Sequence, residues 1–249
     1  MQSAILWRGP SELDRAPIAV IATGLDGARN RKTGPGLVQT YIIRSDMAPI
    51  EASRTGADAS VCGDCQHRGQ ADGTRAIGRS CYVTLSWGPT TVYRTMLAGR
   101  YDHLDVESAA DLFRGRRVRL GTYGDPAAVP IAFWSALLTN AGRITGYTHQ
   151  WRRFPEFAAY CMASADSADD RAAARMLGFR TFRVLSDRDT LDRNEVSCPA
   201  SAEAGHRTTC DACLACGGNS SRARADIAIR AHGVGAAHYL TRHSLAVAS

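Results

Sequence analysis

Between residues 117 and 185, short β-branched runs alternate with short helical stretches, and this rhythm constrains the fold more than any other feature of the chain. Arg117-Val118-Arg119-Leu120-Gly121-Thr122-Tyr123 reads as a strand that ends at Gly124-Asp125-Pro126. A helix follows over 130–140, with Pro130 in its first turn, where a missing N–H costs nothing. Residues 143–148 form the next strand, closing at His149, and a short helix (154–160) leads to a short strand at 161–164. The helix over 168–177 carries Asp169 and Asp170 in its first turn and Gly178 as its cap, and 179–185 is a strand again. Strand–helix–strand units of this length need crossover connections, which leave the joined strands parallel.

Further strands are expected at 37–43, at 81–85 and at 226–230, the last ending at His232-Gly233, which makes about seven in all. Residues 89–116 read as amphipathic helix. No glycine fingerprint follows the first strand, so a dinucleotide-binding sheet is disfavoured. The expected fold class is α/β: a partial, open β/α barrel with mainly parallel strands and cysteine-rich loops at both ends of the chain. The 249 residues are read as one domain. Residues 1–36 are an entry segment with a basic loop, 37–185 and 226–233 are the β/α core, and 186–225 are a cysteine-rich, metal-binding insertion.

In such a barrel the C-terminal strand ends face the site. That rule brings Asp125, His149, Ser164 and Arg183 to one rim as catalytic candidates, with His232 nearby, although these residue types also serve as ordinary turn caps. Trp87, Trp134 and Trp151 are expected to pack.

Seven of the eight cysteines fall into two sets. The tail set is Cys198-Pro199 followed by Cys210, Cys213 and Cys216, a Cys-x-x-Cys-x-x-Cys run. Two-residue gaps let a tight turn aim successive thiolates at one compact centre, which is the ferredoxin-type way of holding a [4Fe-4S] cluster. Zinc also accepts four thiolates, but its sites usually draw on two separate Cys-x-x-Cys pairs. A disulfide or buried thiols are the plainer alternatives. The front set is Cys62, Cys65 and Cys81, with His67 close in sequence. Three thiolates and an imidazole would close a zinc site, while three thiolates alone would suit a second iron–sulfur cluster with one open iron. Cys161, set among apolar residues, is expected in the core.

Thirty basic residues against 24 acidic ones give a formal charge of +6. Lys32 is the only lysine, so much of this charge reflects a bias towards arginine. The loop holding Arg29, Arg31 and Lys32 is glycine-rich but lacks Walker spacing. It is read as a solvated loop or an anion or nucleic-acid contact. No apolar run approaches a membrane span, and the N-terminus lacks the pattern of a signal peptide, so a cytoplasmic protein is expected.

The sequence resembles a cysteine-rich family of uncharacterised proteins encoded by bacteriophages and plasmids. The resemblance covers most of residues 20–233. It runs through Arg31-Lys32-Thr33-Gly34, Cys62-Gly63-Asp64-Cys65, Ser80-Cys81-Tyr82, Gly124-Asp125-Pro126, Gly146-Tyr147-Thr148, Cys198-Pro199-Ala200-Ser201 and Cys213-Leu214-Ala215-Cys216-Gly217-Gly218. It implies a mobile-element gene product in a bacterial host cytoplasm. In architecture the chain also looks like radical S-adenosylmethionine proteins, although their Cys-x-x-x-Cys-x-x-Cys after the first strand is absent. The leading expectation is an iron–sulfur protein, a redox or radical-type enzyme acting on a small molecule. The alternative is a nucleic-acid-binding accessory protein with structural zinc or iron–sulfur sites.

Overall fold

The computed structural model describes residues 2–27, 33–219 and 223–246. In chain order the elements begin with β1 (Ser3–Pro10), β2 (Pro17–Thr23), β3 (Leu37–Arg44), α1 (Pro49–Thr55), α2 (Ala59–Cys62) and a small hairpin of β4 (Gln70–Ala71) and β5 (Ala76–Ile77). They continue with α3 (Gly88–Leu97), β6 (Asp102–His103), α4 (Val106–Phe113), β7 (Arg117–Tyr123), α5 (Ile131–Leu138), β8 (Arg143–Thr145) and β9 (Tyr147–Thr148). The last are β10 (Met162–Ala165), α6 (Ala168–Met176), β11 (Thr181–Leu185), β12 (Glu195–Ser197), α7 (Cys210–Cys213), β13 (Asp226–Arg230) and α8 (Ala236–Ala246).

Two open sheets carry these elements, one ordered β6-β1-β2-β3-β7-β8 and the other β12-β13-β11-β10-β9. Every pairing in the second is parallel, and in the first only β2 runs against its neighbours. The mixed α/β class with mainly parallel strands is therefore as expected from the alternation between 117 and 185. The strand expected over 143–148 is instead two, because Gly146 breaks it and passes the chain from one sheet to the other. The N–H of Gly146 donates to Cys216 O at 3.1 Å. A Cβ at this position would lie 2.9 Å from Cys161 Sγ and 3.1 Å from Leu120 Cβ, so only glycine permits the approach.

Four other expectations are corrected. The entry segment contributes β1 and β2. Ile18 to Ala22 are buried without a break, and a strand covered on both faces shows none of the alternation that marks a half-exposed one. Residues 81–85 are a turn rather than a strand, held by Arg79, which donates to Cys81 O and Val83 O. The stretch 89–116 is α3 and α4 with β6 between them. The tail insertion also holds a strand, β12, which pairs with β13.

The apolar core includes Phe113, Leu120, Trp134 and Leu137, with Cys161 buried in it as expected. In the second sheet, the start of the inner strand β13 is fastened by charge. Asp226, fully buried, accepts from Arg171 at 2.8 Å, from Arg175 at 2.7 Å and from the N–H of Thr181 at 3.0 Å.

Candidate functional site

Alternate residues of five strands face one cavity of about 570 Å³: Gln39 and Tyr41 on β3, Arg119 on β7, Tyr147 on β9, Phe182 and Val184 on β11, and Ile229 on β13. Both thiol sets border it. Cys62, Cys65 and Cys81 lie on one wall, and Cys198 and Cys210 on the other.

Beyond Cys62, which ends α2, much of the front wall is irregular loop, so its carbonyls must find donors elsewhere. Arg68 supplies several, reaching Gly63 O at 2.6 Å, Gly56 O at 2.8 Å and the Asp58 carboxylate at 2.6 Å. From α8, Arg242 donates to Gln66 O and to Ser80 Oγ. The N–H groups of Ser80 and Cys81 both bond to His67 O, which draws Cys81 back towards the Cys62–Cys65 turn. Burial pushes the Cys62 thiol well up, and Asp58, Cys65 and Cys81 add to this.

The tail wall grows directly from the sheet. Cys198 follows β12, and its N–H donates to Ala228 O at 2.8 Å. Cys210 and Cys213 begin and end the single turn of α7, after which Leu214 takes a left-handed conformation (φ 51°) that redirects the chain to Cys216. Arg180 holds the chain beyond this turn, donating to Ala215 O, Gly217 O and Ala225 O. Asp211 ties α7 to the loop at 33–36, accepting from Gly36 N–H at 3.2 Å, and a Cβ on Gly34 would collide with its carboxylate. Cys216 is pushed up to about 12, mainly by burial, against the Tyr147 hydroxyl and with Cys198, Cys210 and Cys213 nearby.

None of the eight cysteines is in a disulfide. Among the described residues no three sulfurs lie within 4.8 Å of one another. A single tetrahedral zinc with bonds of about 2.3 Å holds its sulfurs about 3.8 Å apart. Both sets are more open than that.

Of the rim candidates, Asp125, His149 and Ser164 line the cavity, as does His232. Asp125 is a turn cap. Its carboxylate accepts from the N–H groups of Ala127 (3.0 Å) and His149 (2.8 Å). Burial raises the Asp125 carboxyl, against those bonds. Arg183 does not reach the cavity. The strand begins at Thr181, so Arg183 sits mid-strand on the face opposite Phe182 and Val184, where it forms a buried pair with Glu195 at 2.6 Å. His67 is not beside a thiol. Its Nδ1 faces Ser80 Oγ at 2.9 Å and its Nε2 faces Asp166 at 3.5 Å. The imidazole next to a cysteine is that of His149, 3.7 Å from Cys65 Sγ. Burial lowers His67, whereas for His149 burial is outweighed by Cys65 and Asp166, which raise it well above the ordinary value. Trp134 and Trp151 pack as expected, but Trp87 is 75% exposed at the cavity margin. Arg29, Arg31 and Lys32 lie outside the described residues.

Three site residues escaped the sequence reading. Asp166 follows β10 directly, and setting the strand end one residue later would have found it. Tyr82 and Arg119 form a polar floor, with Arg119 Nη2 donating to the Tyr82 hydroxyl at 2.6 Å and its guanidinium over the Tyr147 ring at 5.7 Å. An arginine in the middle of an enclosed parallel strand was the available signal. No family model, no curated protein and no solved structure matches the chain. Among the described residues no helix is long and apolar enough to cross a membrane.

Proposed function

We propose that the protein is an iron–sulfur protein, a redox or radical-type enzyme whose small-molecule substrate occupies the cavity between the two thiol sets. The observation that carries this reading is that thiols more than a hundred residues apart border one cavity lined by the same face of the strands. Thiols serving only to staple separate loops have no reason to share a chamber. The donor chemistry fits clusters. Cys210, Cys213 and Cys216 are grouped around one tight turn with Cys198 after β12, Cys62, Cys65 and Cys81 are three more, and none of the seven is in a disulfide. Their wide spacing favours a cluster, whose irons stand between the thiolates, over a single zinc ion. A cluster would supply electron transfer. The chain itself supplies Arg119, whose buried Nε has no hydrogen-bond partner, to hold an anionic group of the substrate.

The strand faces shared around the cavity also support reading the two sheets as one curved, partial β/α barrel joined at Gly146. The setting is a phage or plasmid gene product in a bacterial cytoplasm. Anaerobic purification with iron and acid-labile sulfide measured per chain tests the proposal. Near-equal iron and sulfide are expected, most of the tail portion being lost in Cys213→Ser. Colourless protein carrying only zinc would refute it.

A further inference from the structure

Beside the front thiols, two imidazoles converge on one carboxylate. His67 comes from the loop turn between the cysteines, His149 from the end of β9, and Asp166 from the end of the neighbouring β10. His67 Nε2 and His149 Nε2 each lie 3.5 Å from Asp166 Oδ1, and the three donor atoms fall within 4.8 Å of one another. We propose that these three residues form a site for one divalent first-row transition-metal ion, distinct from both thiol sets and open to the cavity.

The distances suit an ion better than a direct contact. Imidazole–carboxylate hydrogen bonds close to about 2.7–2.9 Å. Ligands held about 2.1 Å from a tetrahedral ion stand about 3.4 Å apart. The supporting contacts are those of a ligand. Arg242 donates to Ser80 Oγ, and His67 Nδ1 faces the same oxygen, so a proton on Nδ1 leaves the Nε2 lone pair towards Asp166. The Tyr239 ring stacks on His67 at 5.6 Å and holds its plane. Asp166 is positioned through its own N–H, which donates to Asp170.

Two imidazoles and a carboxylate are the donors of iron(II), zinc, manganese and related ions, and three protein ligands leave coordination positions open. All three residues line the cavity, so the open positions face it. His149 Nε2 also lies 3.7 Å from Cys65 Sγ, and one nitrogen cannot serve two centres. Its two convergent partners assign it to the triad, leaving Cys62, Cys65 and Cys81 as a three-thiolate set.

The triad stands whether or not clusters occupy the thiols. The test uses full-length, chelator-stripped anaerobic protein titrated with cobalt(II), followed by calorimetry and visible absorption. A Cys62→Ser, Cys65→Ser, Cys81→Ser chain should still bind one cobalt per chain with nitrogen–oxygen ligation and no sulfur charge-transfer band. Cobalt held by the tail thiols carries that band and is counted apart. Asp166→Asn and His67→Gln, added to that chain, should each weaken the sulfur-free site by about 100-fold or more. Asp166 is partly exposed after β10, so its variant keeps the test open if His67→Gln fails to fold. Loss of the sulfur-free cobalt in the triple-serine chain, or unchanged affinity in folded Asp166→Asn, would overturn the proposal. Iron and sulfide measured in parallel report on the clusters separately.

Discussion

The two walls of the cavity solve the same problem by different means. The tail thiols are an extension of regular structure: Cys198 leaves β12, and α7 is tied by Asp211 to the loop at 33–36. Of the front thiols, Cys62 ends the short helix α2, while Cys65 and Cys81 lie in the loops either side of the β4–β5 hairpin, outside the two large sheets. Arg68 on one side and Arg242 from the far end of the chain on the other hold this wall in place. Yet the tail too needs a guanidinium, Arg180, for its last carbonyls. Irregular backbone can be enclosed only if its carbonyls are met, and a planar guanidinium with five N–H donors meets several at once where an ammonium cannot.

Breaking one wall should leave the other standing. The largest effect is expected from Asp226→Ala, which removes the buried carboxylate that Arg171, Arg175 and the Thr181 N–H share and loosens the joint between α6, β11 and β13. A loss of about 3–5 kcal/mol in urea denaturation is expected, together with faster thiol labelling of the tail cysteines than of the front ones. Arg68→Ala is the mirror experiment. It should cost about 1.5–3 kcal/mol for the charge-assisted bonds to Asp58 and the loop carbonyls, and should speed labelling of Cys62 and Cys65 first. Equal labelling of both walls in either variant would mean that they fold as one unit. Gly146→Ala presses a methyl group towards Cys161 and Leu120 and should cost about 1–3 kcal/mol while disturbing the tail wall, since the Gly146 N–H holds Cys216 O.

The smallest effect is a pH dependence. Burial would raise the Glu195 carboxyl, but its bonds with Arg183 outweigh this and hold it below the ordinary value. Its stabilisation is therefore complete above the unfolded-state pKa of about 4.3 and is lost as pH falls through the lower folded value. Glu195→Gln should flatten the acid limb of a stability–pH curve and affect the tail side alone. An unchanged limb would remove Glu195 from the account.

What was legible in the chain followed from periodicity. β7, β13 and α6 lie where the spacing of apolar residues and the caps put them, and the parallel pairing came with the crossovers. What was illegible depended on contacts between distant residues. β2 carries no alternation because both of its faces are covered, and β1 is buried without a break over residues 4–6. Arg183 stands two residues before the strand end at Leu185, which the expected strand shared, and the bounds of a strand do not tell which face a residue inside it takes. His67 was grouped with the thiols by nearness in sequence, whereas the loop turns it to Ser80 and Asp166. The arginines were read as compositional bias, because nothing local tells a solvated guanidinium from one folded back onto carbonyls far along the chain.

The order of strands in the second sheet has a consequence for how the molecule is made. β12 pairs, among the described residues, with β13 alone, and β13 is the later of the two to leave the ribosome. Cys198 thus emerges on a segment with nothing to lie against until residues 226–230 have been synthesised and have slipped between it and β11. The front loop waits longer still, for Arg242. Until residues 226–242 have been made, a nascent chain accordingly carries its thiols without a complete chamber to put them in, and any cofactor delivered before then would meet an unfinished site.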